Sequence, residues 1–399
     1  MSKSSIGRQV HESYDARPYP TPDRNSIARS RHQLPPFAWI RAICAIPQLT
    51  PKRILVAGCG TGAEAIALKK KFPNADVVGV DFSSKSIAQA KALHKRILGR
   101  SPIRLIAGDI TDRKFMGSLG VNYDFISCHG VLTYIPQPER ALRNLSRCLN
   151  ENGALYLGVN GQTHFSQRGR PALKALGFDV RKLPSDGRLR RIVHLYDVLS
   201  SDPDGKKAKL PLFYLASDLF GPFINNLSLP HWIQLCHDAS LSFAGDYYAF
   251  RKIRAAINAG VLNILQPRSR EGVHKFVDGL HPRGFHQLTF TKRVLVSPTW
   301  DKKRMLNLCP ARTRLYQVSF KKSRRILRLK SVPINTLVEL DCASWEEEFL
   351  QCASGKATLS EILRKFPREI AWETVRDRLY LFYHLAVINF ERPQGQKDS

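Results

Sequence analysis

One stretch of the chain, residues 53–83, constrains the fold more than any other. It opens with a short apolar run, Ile54–Ala57, which is typical of a strand buried inside a parallel sheet. A loop follows in which every second residue is glycine: Gly58, Gly60 and Gly62. Glycine lets the backbone turn tightly and approach a ligand without a Cβ clash, so a ligand-binding loop is predicted here.

The residues after the loop complete a recognisable unit. Residues 63–72 are rich in Ala, Glu, Leu and Lys, which favours a helix, and Pro73 ends it. A second apolar run, Val77–Val80, predicts another buried strand with Asp81 at its end. Free N–H groups at the helix start would face the ligand, and the Asp81 carboxylate would accept hydrogen bonds from ribose hydroxyls. The pattern therefore predicts a βαβ unit that binds an adenosine-type cofactor.

The glycine loop by itself fits two cofactor classes. Its glycines match G-x-G-x-G, the pattern of methyltransferases that use S-adenosylmethionine. With Ala63 in the last place it also matches the dinucleotide pattern G-x-G-x-x-G/A, and an acid follows about twenty residues later in both classes. The remainder of the chain has to distinguish these alternatives.

Three further apolar runs follow at regular spacing, and they predict strands at residues 103–107, 123–128 and 154–159. Asp109 comes directly after the third strand, where its carboxylate can accept a hydrogen bond from an adenine amino group. The alternative for Asp109 is a turn or helix-capping residue. Five strands alternating with helices predict a doubly wound α/β sheet.

The successive motifs of this region resemble those of class I S-adenosylmethionine-dependent methyltransferases. They are VAGCGTG, GVDFS, AGDI, YDFISCHGVLTYIPQPERAL and NGALYLGV, within residues 50–160. The resemblance implies a seven-stranded Rossmann-like sheet with S-adenosylmethionine as cofactor. It also implies cofactor contacts from the glycine loop and the ends of the following strands: Gly58, Cys59, Gly60, Gly62, Asp81, Phe82, Asp109, Ile110 and His129.

Val56 departs from the family pattern, because many members have an acid two places before the first loop glycine. A partner for the methionine amino group must then come from elsewhere, for example from a loop carbonyl or from the N-terminal arm. Residues 1–50 are predicted to form this arm, irregular at first. It either packs in extended form on the first domain or covers the open end of the cofactor site, with Tyr14 or Tyr19 reaching the cofactor's polar groups.

The arm motif YDARPYP, together with HWIQLCHDASLSFAGDYYA and GFHQLTFTKR downstream, is similar to bacterial methyltransferases that carry a methyltransferase regulatory domain. Some of these relatives methylate protein lysines. The resemblance predicts a sixth strand at residues 241–247 and an antiparallel seventh at 285–296. Insertions at about 161–229 and 249–283 would then lie at the carboxyl end of the sheet, where open α/β folds bind ligands.

The domain organisation that follows is an arm at residues 1–50, a methyltransferase domain at 51–297 and a smaller domain at 298–399. Three predicted helices, a basic hairpin and a strand give the last domain a winged-helix-like α+β pattern. Residues 331–399 hold 8 Lys and Arg against 11 Asp and Glu, which is a poor charge balance for binding DNA. We therefore expect a protein-contacting or degenerate version of that fold.

The chain as a whole is strongly basic, with a formal net charge of +29. Residues 161–330 hold 31 Lys and Arg against 11 Asp and Glu. This charge favours an acidic protein or small-molecule acceptor and also allows nucleic acid; the alternative is a basic but solvated surface. The absence of a D/N-P-P-Y/F motif after the fourth strand disfavours transfer to the exocyclic amines of nucleobases.

Other features of the sequence concern the cellular compartment and metal binding. No run of about 18 apolar residues is present, so no transmembrane helix is expected. The first residues have no apolar signal core, and the eight cysteines are scattered without a C-x-x-C pair. These features predict a cytoplasmic protein with reduced thiols and no metal site, and they leave its oligomeric state open.

The leading hypothesis is a methyltransferase acting on a protein side chain or a small molecule. The alternatives are a nucleic-acid (RNA) methyltransferase and a non-catalytic cofactor-binding protein. No residue is assigned as catalytic, and His129 is a candidate base without further support from the sequence.

Overall fold

The computed structural model describes residues 3–16, 34–46, 50–99, 101–182, 184–200, 217–258, 269–321, 325–331, 333–366 and 370–393. The chain divides into two compact units. The first comprises Met1–Leu34, Pro51–Ser240 and Pro282–His286, and the second comprises Pro35–Thr50, Leu241–His281 and Gln287–Ser399. The boundaries predicted for the arm and the two domains remain predictions.

The helices in chain order are α1 (Lys3–Ala16), α2 (Phe37–Ile43), α3 (Ala63–Lys71), α4 (Ser84–Leu98), α5 (Arg113–Ser118), α6 (Pro138–Cys148), α7 (Ser166–Ala175), α8 (Asp186–Ser200), α9 (Leu229–His237), α10 (Tyr247–Asn258), α11 (Arg270–Leu280), α12 (Lys302–Leu306), α13 (Ser344–Cys352), α14 (Leu359–Leu363) and α15 (Trp372–His384). The strands are β1 (Arg53–Ala57), β2 (Asp76–Asp81), β3 (Arg104–Ala107), β4 (Tyr123–His129), β5 (Leu149–Asn160), β6 (Ser242–Asp246), β7 (Phe285–Thr291), β8 (Cys309–Arg312), β9 (Gln317–Lys321), β10 (Ile326–Ser331), β11 (Thr336–Asp341) and β12 (Ile388–Glu391).

Seven strands form the main sheet in the order β3-β2-β1-β4-β5-β7-β6. Strands β1 to β5 run parallel, and β6 pairs antiparallel with β7. The predicted doubly wound, seven-stranded Rossmann-like sheet is therefore confirmed. The strand order reverses between β1 and β4, and open α/β sheets bind ligands in the crevice beyond the carboxyl ends at such a point.

The central strands are buried as their apolar sequences predict. Ile54 and Leu55 on β1 have no solvent-exposed surface, and the same holds for Phe125 and Ile126 on the neighbouring β4. Helices cover both faces of a parallel sheet, which is why its strands are continuous apolar runs rather than alternating ones. Ser83 caps α4, since its Oγ accepts a hydrogen bond from the Ser86 N–H at 3.1 Å.

The arm differs from the prediction at its start. Residues 3–16 form the helix α1, so the expectation of irregular structure there was wrong. A helix of 14 residues is marginal on its own, and its stability depends on contacts that a local sequence pattern does not contain. Tyr19, by contrast, lies outside the described residues.

The second unit carries the smaller sheets of the C-terminal region. Strands β9, β10 and β11 form an antiparallel sheet, β8 pairs with β12, and the predicted helices are present as α13, α14 and α15. Arg270 is buried in this unit, where its guanidinium lies 4.1 Å from the centre of the Tyr383 ring and donates to the Tyr383 carbonyl. These elements agree with an α+β C-terminal region.

Candidate functional site

The glycine loop joins β1 to α3 in a left-handed backbone conformation. The φ angles of Gly58, Gly60 and Gly62 are 74°, 52° and 85°. A Cβ added at Gly58 would lie 2.2 Å from Cγ2 of Val131, so this position needs glycine for packing as well as for its backbone angle. The loop is thus held against the segment that follows β4.

Asp81, at the end of β2, fixes the shape of the loop. One carboxylate oxygen accepts the Gly60 N–H at 2.9 Å, and the other accepts the Ser83 N–H at 2.9 Å. Burial raises the pKa of Asp81, and the two N–H donors oppose that shift. A carboxylate has about four acceptor positions, so these bonds leave capacity for ribose hydroxyls. The ribose role of Asp81 stays a prediction, and sequence reasoning missed this structural role.

Helix α1 packs on the residues directly after Asp81. The rings of His11 and Tyr14 meet Phe82 edge-on, with centroids 5.2 and 5.6 Å away. Asp15 accepts a hydrogen bond from the Ser83 hydroxyl at 2.6 Å. The arm is therefore attached beside the residue that is predicted to hold the ribose.

Tyr14 also reaches the segment after β4, because its ring lies 5.9 Å from that of Tyr134. Burial raises the pKa of Tyr14, and the carboxylates of Asp218 and Asp81 raise it further. The side chain of Tyr14 thus lies within electrostatic range of one acid from β2 and another from the predicted first insertion.

Asp109 and Ile110 follow β3, as the sequence predicts, but their side chains differ in exposure. Asp109 is exposed, and one of its carboxylate oxygens accepts the Thr111 N–H at 2.7 Å. Ile110 is buried, and its carbonyl accepts a hydrogen bond from the Asn144 amide at 3.0 Å. Asp109 therefore closes a turn, which is the local role that the alternative interpretation expected.

His129 ends β4 among aromatic rings. It stacks on Tyr156 with 10° between the ring planes, and its centroid lies 5.2 Å from that of Phe285. Burial lowers the pKa of His129 to about 4, so the imidazole is neutral at pH 7. Cys59 is buried in the glycine loop, where burial raises the pKa of its thiol and keeps it protonated. Neither residue is a strong nucleophile or base in this environment.

Glu64 was missed by sequence reasoning. It lies in the first turn of α3, and one of its carboxyl oxygens accepts the Ser127 hydroxyl at 2.5 Å. Burial raises the pKa of Glu64 to about 7, against the opposing effect of this hydrogen bond. The carboxyl group therefore lies between α3 and β4 at the point where the strand order reverses.

A second cluster that was missed surrounds Asp218. Tyr134 donates a hydrogen bond to one carboxylate oxygen of Asp218, and His164 Nε2 lies 3.6 Å from the other. Burial raises the pKa of Asp218 to about 6, whereas the Tyr134 hydroxyl and the Arg170 guanidinium lower it. Since these residues are up to 84 positions apart, no local motif announces the cluster.

The tautomer of His164 follows from its other contacts. Its Nδ1 lies 2.8 Å from the Ser166 hydroxyl and accepts the Ser166 N–H at 3.4 Å. Nδ1 is then the acceptor, so the neutral ring carries its proton on Nε2, which faces Asp218. Arg170 donates to the Gly221 carbonyl at 2.7 Å and completes the polar surroundings.

The residues at this crevice fit an adenosine cofactor with a cationic amino-acid end. Backbone N–H groups, the Asp81 carboxylate and the aromatic ring of Phe82 suit a nucleoside, and the Glu64 carboxyl suits a cation. Within the described ranges, no group of three or more His, Cys, Asp or Glu could hold a metal ion. No helix among the same residues is long and apolar enough to span a membrane.

Comparisons with known proteins agree with this geometry. Residues 55–155 match the family model described as a methyltransferase domain. An uncharacterized protein of Rickettsia prowazekii is 33% identical over 152 residues, which are 38% of this chain and 26% of that protein. Malonyl-[acyl-carrier protein] O-methyltransferase of Anoxybacillus flavithermus is 29% identical over 117 residues, which are 29% of this chain and 42% of that protein. The chain thus spans less than half the length of these curated relatives.

Among solved structures, PKMT2 from Rickettsia typhi in complex with AdoHcy has a TM-score of 0.52 at 14% identity, covering 91% of this chain and 76% of that one. This similarity shows a shared fold. The resemblance to methyltransferases with a regulatory domain stays a prediction, because the matched family model ends at residue 155. Of the two cofactor classes that the glycine loop allowed, the comparisons select the first. Residues 55–155 thus belong to a class I S-adenosylmethionine-dependent methyltransferase domain.

Proposed function

We propose that the protein transfers the methyl group of S-adenosylmethionine to a protein side chain or a small-molecule acceptor. One observation carries the proposal: the Tyr14 ring contacts both Phe82, which follows the predicted ribose ligand Asp81, and Tyr134, which donates a hydrogen bond to Asp218 in a buried polar cluster. A cofactor side and an acceptor side are then adjacent within the first unit.

The cofactor is held by the glycine loop, by the ends of β2, β3 and β4, and by the arm: Gly58, Cys59, Gly60, Gly62, Asp81, Phe82, Asp109, Ile110, His129 and Tyr14. Tyr19, outside the described residues, stays a predicted contact from the sequence alone. When bound, it supplies an electrophilic methyl carbon on a sulfonium. The aromatic contacts of α1 with Phe82 support a covering role for the arm. Such a cover excludes water and aligns the nucleophile with the methyl carbon.

The acceptor must lose a proton if it arrives as an ammonium or a hydroxyl group. Asp218 is the best-matched proton acceptor, because its pKa of about 6 leaves it ionised at neutral pH. His129 and His164, each with a pKa lowered by burial to about 4, are weaker bases. Tyr134 donates to Asp218, so its hydroxyl can relay a proton from the acceptor to that carboxylate.

The first experiment is calorimetry of the full chain with S-adenosylmethionine and with NAD. We expect micromolar binding of the former only. Transfer of a labelled methyl group is then screened against protein and small-molecule fractions. Asp218→Asn should bind AdoHcy like the wild type but transfer methyl groups at least about tenfold more slowly. The fall in the wild-type transfer rate below about pH 6 should be absent from the pH–rate profile of this variant. Cofactor binding without any transfer would support the non-catalytic alternative.

The net charge of +29 favours one second candidate, a nucleic-acid methyltransferase. A protein that neutralises phosphates releases counterions, so the logarithm of its affinity falls linearly with the logarithm of salt concentration. Fluorescence anisotropy with a short labelled RNA, measured between about 50 and 200 mM salt, tests this candidate. Over this range the affinity of a protein that makes several phosphate contacts falls about 10³- to 10⁵-fold. A flat response would eliminate it.

A further inference from the structure

The position of Glu64 relative to the sheet follows from its hydrogen bond to Ser127 on β4. Ser127, which donates to the Glu64 carboxyl group, is the register partner of Val56 on the adjacent parallel strand. Side chains at paired positions of neighbouring strands point to the same face of a sheet. The Glu64 carboxyl group therefore lies over the face on which an acid at position 56 would project, although it comes from α3 rather than from β1.

Within the part of the chain that the structure describes, no salt bridge pairs the Glu64 carboxyl group with a cation. Burial raises the pKa of the Cys59 thiol in the glycine loop and of the Cys128 thiol near the end of β4, and the Glu64 carboxylate raises both further. No Lys or Arg of the described residues perturbs or pairs with it. A carboxyl group in such a place carries a desolvation cost that a bound cation would offset.

S-adenosylmethionine has two cationic groups, which differ in the number of hydrogen-bond donors that they carry. An ammonium offers three N–H donors to a carboxylate, whereas a sulfonium offers none. A carboxyl group that already accepts one hydrogen bond, from Ser127, is arranged to accept others. The ammonium is therefore the better match, since charge-assisted hydrogen bonds to a carboxylate are among the strong ones.

We propose that Glu64 binds the α-ammonium group of the methionine part of the cofactor, in place of the acid that is missing at Val56. The inference rests on the proposed function, because it concerns the same cofactor. It implies that Glu64 ionises when the ammonium binds, so a proton is released. The affinity for any ligand with that ammonium then rises with pH through the range in which free Glu64 titrates.

Calorimetry with three ligands tests the inference on wild type, Glu64→Gln and the control Glu348→Gln, which removes one exposed carboxylate of the second unit. S-adenosylmethionine has both cations, AdoHcy has only the ammonium, and 5′-methylthioadenosine has neither. Glu64→Gln should weaken the first two by about 10- to 100-fold, as expected for a hydrogen bond between charged groups, and leave the third within about twofold. Glu348→Gln should change none of them.

Other results would overturn the inference. If Glu64→Gln loses the same affinity for all three ligands, Glu64 is a structural residue. If it loses affinity for S-adenosylmethionine alone, Glu64 interacts with the sulfonium and not with the ammonium. If the wild type binds none of the three, the proposed function fails and the inference fails with it.

A second measurement needs no variant. With a pKa of about 7, free Glu64 is about half protonated at pH 7, so AdoHcy should release about half a proton and 5′-methylthioadenosine none. The dependence of binding enthalpy on buffer ionisation measures this number. An equal release with both ligands would contradict the assignment even if Glu64→Gln does not fold.

Discussion

Replacing Gly58 by alanine should destabilise the first unit through two separate effects. The residue has a φ of 74°, and the left-handed conformation costs about 1–2 kcal/mol for a residue with a Cβ. The new Cβ would also lie 2.2 Å from Cγ2 and 2.9 Å from Cγ1 of Val131, so that side chain must move. Overpacking of this kind costs about 1–3 kcal/mol, which brings the expected loss to about 2–5 kcal/mol in the free energy of unfolding.

Gly130 provides a matched control within the same unit. Its φ is 71°, but a Cβ added there would meet nothing within 4 Å. Gly130→Ala should therefore show only the backbone cost, about 1–2 kcal/mol. Urea unfolding followed by circular dichroism measures both variants, and the difference between them isolates the contact with Val131. In Gly58→Ala combined with Val131→Ala, part of the loss should be recovered as a coupling energy.

Equal destabilisation by the two alanine variants would refute this reasoning. It would mean that Val131 yields without cost and that the loop is not held against the segment after β4. A larger effect at Gly130 would have the same meaning.

Three further predictions concern the acids of the site. Between the usual pKa of 4.5 and about 7, the unfolded chain releases the Glu64 proton while the folded protein keeps it, so Glu64 lowers stability as pH rises through this window. In urea titrations, Glu64→Gln should thus raise the free energy of unfolding by up to about 3 kcal/mol at pH 8. At pH 4 the ionisation of Glu64 should make no contribution to the difference between the variant and the wild type. Asp15→Ala removes the acceptor of the Ser83 hydroxyl and should speed amide exchange in α1 about tenfold, measured by mass spectrometry. Asp81→Asn leaves the N–H of Gly60 or of Ser83 without its acceptor and should lower the free energy of unfolding by about 1–3 kcal/mol in urea titrations.

The controls for these variants lie nearby. Glu12→Ala, an exposed site on α1, should leave amide exchange of that helix unchanged. An equal effect of Glu12→Ala and Asp15→Ala would show that helix propensity, and not the bond to Ser83, holds the arm. A pH-independent effect of Glu64→Gln would mean that Glu64 is not held protonated in the folded protein, and a wild-type stability of Asp81→Asn would mean that the loop does not depend on the carboxylate.

The sheet could be predicted from the sequence because its signals are local. Each central strand is a short apolar run that ends in glycine or an acid, and Ser83 stands where the capping residue of α4 should be. Such signals need only a few neighbouring residues, so the order of strands and helices follows from them. The glycine loop and Asp81 were found in the same way.

The features that escaped prediction depend on residues far apart in the chain. Helix α1 is attached through Ser83, 68 positions from Asp15, and its own sequence gives only a weak helical signal. The hydrogen bond of Glu64 to Ser127 spans 63 positions. Packing places these groups together, and neither spacing nor composition encodes it. The absent acid at Val56 was visible in the sequence, whereas its spatial counterpart on α3 was not.

The hydrogen bonds around Asp81 also link the glycine loop to the arm. Gly60, Asp81, Ser83 and Asp15 form one continuous series that begins in the glycine loop and ends in the arm. Loss of α1 would remove the acceptor of the Ser83 hydroxyl, and Ser83 is the residue whose N–H donates to Asp81. The glycine loop and the arm are thus coupled through one shared residue, Ser83, so a substitution at position 83 would disturb the Asp81 carboxylate and α1 at the same time.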